Sequence, residues 1–141
     1  MKTIIFIIIV ISNLIGGIFS RENEVVTDSR TNLEWQDNTE SKTTKFTWMD
    51  AINYCENLDL DGNSDWRLPN INELISLVDD TIYNPAIDRT FVNTNTSSWY
   101  WSSTSHVHDS KVGWIVYFYY GNQHLYGKNG NFYVRCVRTG D

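Results

Sequence analysis

The side chains best suited to chemistry in this chain are its three histidines. His106 and His108 stand two apart, Asp109 follows, and His124 comes later. On an extended backbone residues two apart point the same way. His106 and His108 could therefore face one ion, with Asp109 and His124 completing a nitrogen-and-oxygen zinc set. The stretch that carries them reads as a loop, and exposed loop histidines are the plainer reading, so no metal and no other cofactor is expected. A calcium loop is the next candidate, in Asp59-Leu60-Asp61-Gly62-Asn63-Ser64-Asp65. Setting Gly62 at the sixth position of an EF-hand puts Asn57, Asp59 and Asp61 on ligand positions but Leu68 where the bidentate Glu belongs. A helix-to-loop turn rich in Asp, Asn and Gly explains the stretch better. The chain carries no Gly-x-Ser-x-Gly turn and no phosphate-binding glycine loop. The Asp79-Asp80 pair falls at a helix end, where water solvates it. No catalytic residue is expected, and a metal-dependent enzyme of the cell envelope is the minority reading.

Recognition chemistry is better represented. From Trp99 onward the apolar period is two. Trp114, Val116 and Phe118 alternate with Ile115, Tyr117 and Tyr119, so one set faces the core and the other faces away. Ile115, Tyr117 and Tyr119, with His124, Tyr126 and Lys128 on the next loop, are the candidate binding face. Tyrosine suits that role because it offers a large rigid ring with a polar tip. A second sheet, a loop or a partner subunit covering the same rings is the competing structural reading.

The elements that must hold such a face can be placed. Met1-Lys2 followed by an apolar run over residues 4–18 and small residues before Arg21 has the layout of a secretory signal peptide. Residues 1–20 are read as that leader, or else as an uncleaved anchor, and 21–141 as one domain. The formal charge is −6 with Lys2 and −7 without it, and no Lys/Arg run offsets it, which argues against nucleic acid as a partner. Val25-Val26-Thr27-Asp28 and Leu33-Glu34-Trp35 read as two strands around a polar turn. Residues 39–45 read as loop. Thr47 and Asp50 give a capping-box spacing before a helix whose apolar face is Trp48, Ala51, Ile52, Cys55 and Leu58. Asn70 and Glu73 repeat that spacing after Pro69, ahead of a stripe of Ile71, Leu74, Ile75 and Val78 that should run on to Asp79-Asp80. Asn131-Phe132-Tyr133-Val134-Arg135-Cys136-Val137-Arg138 reads as the closing strand. It holds Cys136, the partner open to Cys55, because two thiols in an exported chain usually pair.

Several of these residues fall in an ordered set of motifs. Ser64-Asp65-Trp66-Arg67-Leu68-Pro69-Asn70, Glu73-Leu74, Tyr100-Trp101-Ser102-Ser103, Trp114 with Val116, Phe118 and Gly121, and Tyr133-Val134-Arg135-Cys136-Val137-Arg138 resemble the Lcl C-terminal domain family. That is a bacterial domain of poorly known function, also found at the end of a collagen-like adhesin. The likeness covers roughly residues 25–138.

The resemblance implies an α+β, C-type lectin-like fold. Two helices would pack on a small, mostly antiparallel sheet, with N- and C-terminal strands paired and a disulfide from the first helix to the last strand. It also implies structural roles for Asp65, Trp66, Arg67, Pro69, Glu73, Trp101, Trp114, Arg135 and Arg138, the arginines fixing buried carbonyls or carboxylates. Formylglycine-generating relatives need redox-active cysteines, which a structural bond would consume here. The calcium-dependent sugar motifs do not occur. The adhesin's sulfated ligand suits neither the charge nor the lack of a collagen repeat. The expectation is a secreted or periplasmic, adhesin-like binding module for an extracellular protein or glycan. It would keep no stable membrane span after cleavage, and a homo-oligomer burying the aromatic face is an alternative.

Overall fold

The two capping spacings mark where the chain turns helical. The computed structural model describes residues 18–141. Thr47 is the N-cap of α2 (Trp48–Glu56), its hydroxyl accepting from the Asp50 amide at 3.4 Å. Asn70 caps α3 (Ile71–Ile75) in a full capping box: Asn70 Oδ1 accepts from the Glu73 amide at 2.8 Å and Glu73 Oε1 from the Asn70 amide at 2.9 Å. These bonds satisfy amides that the first turn leaves without intrahelical partners. The α3 helix stops at Ile75, short of the expected Asp79-Asp80. Ser76 Oγ donates to the Glu73 carbonyl at 2.6 Å there, while Leu77 and Val78 still turn toward the core. A short helix, α1 (Glu40–Thr43), occupies part of the segment read as loop. It has no apolar stripe, because Ser41 is its one buried side chain.

The strands form two sheets rather than one. The first has the order β1 (Phe19–Glu22), β2 (Val25–Asp28), β3 (Leu33–Gln36), β9 (Val137–Thr139), antiparallel throughout. The second runs β4 (Lys45–Phe46), β8 (Phe132–Tyr133), β5 (Tyr100–His106), β6 (Asp109–Tyr117), β7 (Asn122–Gly127), with one parallel pairing between β5 and β8. The fold is α+β. Of the leader expected over residues 1–20, all but the last three residues lie outside the described residues, and Phe19 and Ser20 form the first half of β1. Among the described residues no helix is long and apolar enough to cross a membrane.

The closing strand is split. Residues 132–138 are all buried, so the in–out alternation of a one-faced strand is missing. The chain leaves the second sheet after Tyr133 and joins the first at Val137. Between them Arg135 turns into a polar cage, and Cys136 exchanges bonds with Gln36: its amide donates to Gln36 Oε1 at 3.0 Å, and its carbonyl accepts from the Gln36 amide at 2.9 Å. Cys136 is bonded to Cys55 of α2, with 5.5 Å between the Cα atoms. A link spanning 81 residues stabilises the fold by about 4–5 kcal/mol through loop closure in the unfolded chain.

The second sheet is buried on both faces at its centre. Trp101 and Ile115 enter a core with Ala51, Cys55, Trp66 and Leu68, while Tyr100 and Val116 enter another with Trp35, Leu74, Phe91 and Phe118. Polar pins close the frame. Arg135 and Asp37 are fully buried and paired at 2.7 Å; Arg135 also donates to the carbonyls of Gln36 (2.8 Å) and Asn93 (2.9 Å). Asp37 further accepts from the amides of Val92 (2.9 Å) and Asn93 (3.1 Å) and from Arg21. Arg138 holds Asp65 at 2.7 Å and Glu34, and Arg67 grips Glu73 through two bonds of 2.6 and 2.7 Å. Trp66 is anchored by its ring N–H to the Asn63 carbonyl at 3.1 Å. Asn63 closes a two-residue hairpin on Leu60, with Asp61 and Gly62 at φ of 53° and 77°. That is the Asp-Gly turn chemistry of a primed hairpin.

Candidate functional site

Among the described residues the core leaves a run of aromatic side chains uncovered. Residues paired across an antiparallel ladder share a face, and Ile115 pairs with His124 while Tyr117 pairs with Asn122. The Ile115 position is closed by the α2 core, at 1% exposure. Its expected place on an outward face is therefore wrong: period two gives the face but not where the covering helix ends. One step along, Tyr117 is half-buried and stacks on Trp99, with ring centroids 5.0 Å apart. On one side of Trp99 stands His124 at 5.9 Å. On the far side of Tyr117 come Tyr119 at 5.9 Å, then Tyr120 4.5 Å from Tyr119, then Tyr83 6.4 Å from Tyr120. The six rings form a ladder from His124 to Tyr83.

Backbone bonds bring the two loops of this ladder together. The Gly121 amide donates to the Tyr117 carbonyl, the Asn84 amide to Tyr119 and the Ala86 amide to Phe118, each at 2.7 Å. Gly121 has φ of 82°, and a Cβ there would stand 2.5 Å from Val78 Cγ1. Only glycine takes that conformation and that contact without strain. The turn so fixed delivers Tyr119 and Tyr120 beside Tyr83. Tyr83 and Tyr120 remain 70% and 65% exposed. Trp99–Tyr117, Tyr117–Tyr119 and Tyr83–Tyr120 stack with interplanar angles of 29°, 19° and 19°, while Tyr119 meets Tyr120 edge-on at 63°. No charged side chain is a rung. At the Tyr83 end it opens on a cleft of about 370 Å³ lined by Tyr83, Arg89, Val92 and Thr94, among others.

The other expected site residues lie elsewhere. Tyr126 shares the His124 face of β7, but its ring packs edge-on against Phe132 at 5.0 Å. Lys128 sits 3.6 Å over the Trp48 ring, donates to Ser105 Oγ at 2.6 Å, and lends its carbonyl to the Trp48 amide; it is a fastening between the last hairpin and α2. The zinc set does not assemble. His106 faces His108 (5.7 Å) and Trp114 (6.5 Å), on the opposite side of the sheet from Ile115 and His124. Among the described residues no three His, Cys, Asp or Glu side chains converge as metal ligands. Trp99, Tyr120 and Tyr83 were missing from the sequence-derived face. Tyr120 adjoins Tyr119 and could have been included, whereas Tyr83 arrives from a distant loop that no local pattern connects.

Titration bears on the frame rather than on the rings. Arg67 hydrogen bonds hold the Glu73 carboxyl below its ordinary value against the opposing effect of burial. Burial would raise Asp28, but the side-chain and backbone bonds from Arg30 outweigh it and the carboxyl is lowered. Both cysteines are in the disulfide, so no thiol is available for covalent chemistry.

No curated protein matches the chain. The family model of the Lcl C-terminal domain matches residues 24–138. That span takes in every strand from β2 to β8, both capped helices and the disulfide, and the chain belongs to the Lcl C-terminal domain family.

Proposed function

We propose that this protein is an exported binding module of C-type lectin-like fold. It would act in an adhesin-like way in the periplasm or outside the cell, and it binds rather than catalyses. The observation that carries the proposal is the ladder His124–Trp99–Tyr117–Tyr119–Tyr120–Tyr83, whose outer rings stay exposed while backbone bonds fix their loops. Fixing such loops in advance lowers the ordering cost of contact. Export is supported by the apolar leader and by a long-range disulfide, which persists in oxidising compartments. The fold assignment rests on the family membership together with the disulfide from α2 to the segment just before β9 and the pairing of β3 with β9. Glycan and protein arrays probed with the mature chain test it: wild type captures ligand, and Tyr117→Ala and Tyr119→Ala capture it more weakly while melting normally. Equal capture by both variants removes the ladder from the site.

A further inference from the structure

Sheet edges expose unpaired backbone groups, and folded proteins usually blunt them with charge, proline, a bulge or short length. In this molecule β1 carries Arg21 and Glu22, β4 has two residues of which one is Lys45, and β9 is bridged at Val137 by Arg67. The remaining edge, β7, is different. Its six residues, Asn122-Gln123-His124-Leu125-Tyr126-Gly127, contain no carboxylate, lysine, arginine or proline, and its pairing with β6 runs without a register shift.

The register tells which groups point outward. The Lys128 amide donates to the Lys111 carbonyl at 2.9 Å. Hydrogen-bonded and open pairs alternate along an antiparallel ladder. Counting back, Tyr126 and His124 bond to β6, while Gln123 and Leu125 direct their amides and carbonyls away from it. Among the described residues no backbone bond takes up those groups. The same edge borders the ring ladder through His124 and ends beside a cleft of about 520 Å³ lined by Lys111, Val112, Gly127 and Asn129, among others.

We propose that β7 accepts an extended peptide segment of a partner as a sixth strand of the second sheet. The segment is uncharged along its length, sets apolar or aromatic side chains beside His124 and Tyr126, and carries a carboxylate at the end that reaches Lys111. Main-chain pairing supplies affinity in this mode and alternate side chains supply selectivity. A second copy is the poorer occupant. A six-residue joint is small beside the roughly 1,200–2,000 Å² of a stable interface, and a net charge of −7 on the chain without Lys2 sets two copies against each other. The inference deepens the binding-module reading and rests on it.

A displayed library of short linear peptides, screened against the mature chain, is the test. Enriched sequences should alternate apolar residues and carry an acid at one end. Synthetic versions should protect the Gln123 and Leu125 amides from hydrogen exchange. Gln123→Pro removes an outward donor without touching the β6 ladder and should weaken binding about tenfold, and Lys111→Glu should weaken the acid-ended peptides. Wild-type affinity in Gln123→Pro, protection elsewhere, or no enrichment overturns the proposal. So does self-association that Gln123→Pro abolishes, which would make a second copy the occupant. If array ligands are lost with Tyr119→Ala but peptides never pair with β7, the edge proposal fails and the binding-module reading stands. If both sets of variants bind as wild type, both fail.

Discussion

Asp37→Ala is the substitution on which the frame depends most visibly. The carboxylate is fully buried and serves four donors: the Arg135 and Arg21 guanidinium groups and the amides of Val92 and Asn93. Its loss leaves Arg135, itself 0% exposed, as a buried cation with no carboxylate. Removing one partner of a buried pair costs about 3–5 kcal/mol, because the other charge stays desolvated. Against a typical domain stability of about 5–15 kcal/mol, that is a large share of the whole. Urea unfolding of the oxidised protein should show the midpoint falling with little change in slope. Asp37→Asn keeps an acceptor oxygen and should lose less. A loss below about 1 kcal/mol for Asp37→Ala, the range of surface pairs, refutes the claim that this cage pins the split C-terminal segment.

Three further outcomes follow from the same frame. Replacing Cys55 and Cys136 together by alanine should lower stability by about 4–5 kcal/mol, read as a lower melting temperature with a native-like spectrum below it. Gly121→Ala should cost about 1–3 kcal/mol and shift the Tyr119–Tyr120 signals in NMR, since φ is 82° and Val78 stands 2.5 Å from the added carbon. Glu73 and Asp28 are lowered below their ordinary values in the folded state. Their contribution is therefore present above the unfolded carboxylate range, about pH 4, and is lost as pH falls through the lower folded values. Acid titration of Arg67→Met should show a smaller loss than wild type over that window.

What was legible in the sequence was mostly local. Thr47 and Asn70 announce their helices because a cap is a contact within four residues, and the strands β2 and β3 flank turn chemistry that is equally short-range. The fate of residues 131–138 was not legible. Their composition says strand, but Val134 is buried in the α2 core and Arg135 and Cys136 are held by Gln36, Asp37, Asn93 and Cys55, all far away in sequence. Helix α1 was missed because it buries a serine rather than an apolar stripe. At the site, parity set Tyr117 on one face with Ile115, but the two glycine turn signals of residues 121–131 read as loop, whereas Asn122–Gly127 pairs with β6 as β7 and brings His124 to that face. Parity could not tell that Ile115 lies under α2, that Lys128 is spent on Trp48 and Ser105, or that Tyr83 would meet Tyr120. Each of those depends on tertiary packing, which periodicity does not encode.

The central claim is that the ring ladder is the surface that touches ligand. Oxidative footprinting read by mass spectrometry, with and without a ligand captured on the arrays, tests it most directly. The account predicts protection at Tyr83, Tyr120 and Trp99, with Met49 on the outer side of α2 unchanged. Protection at Met49 with the three rings reacting as in the free protein would contradict it.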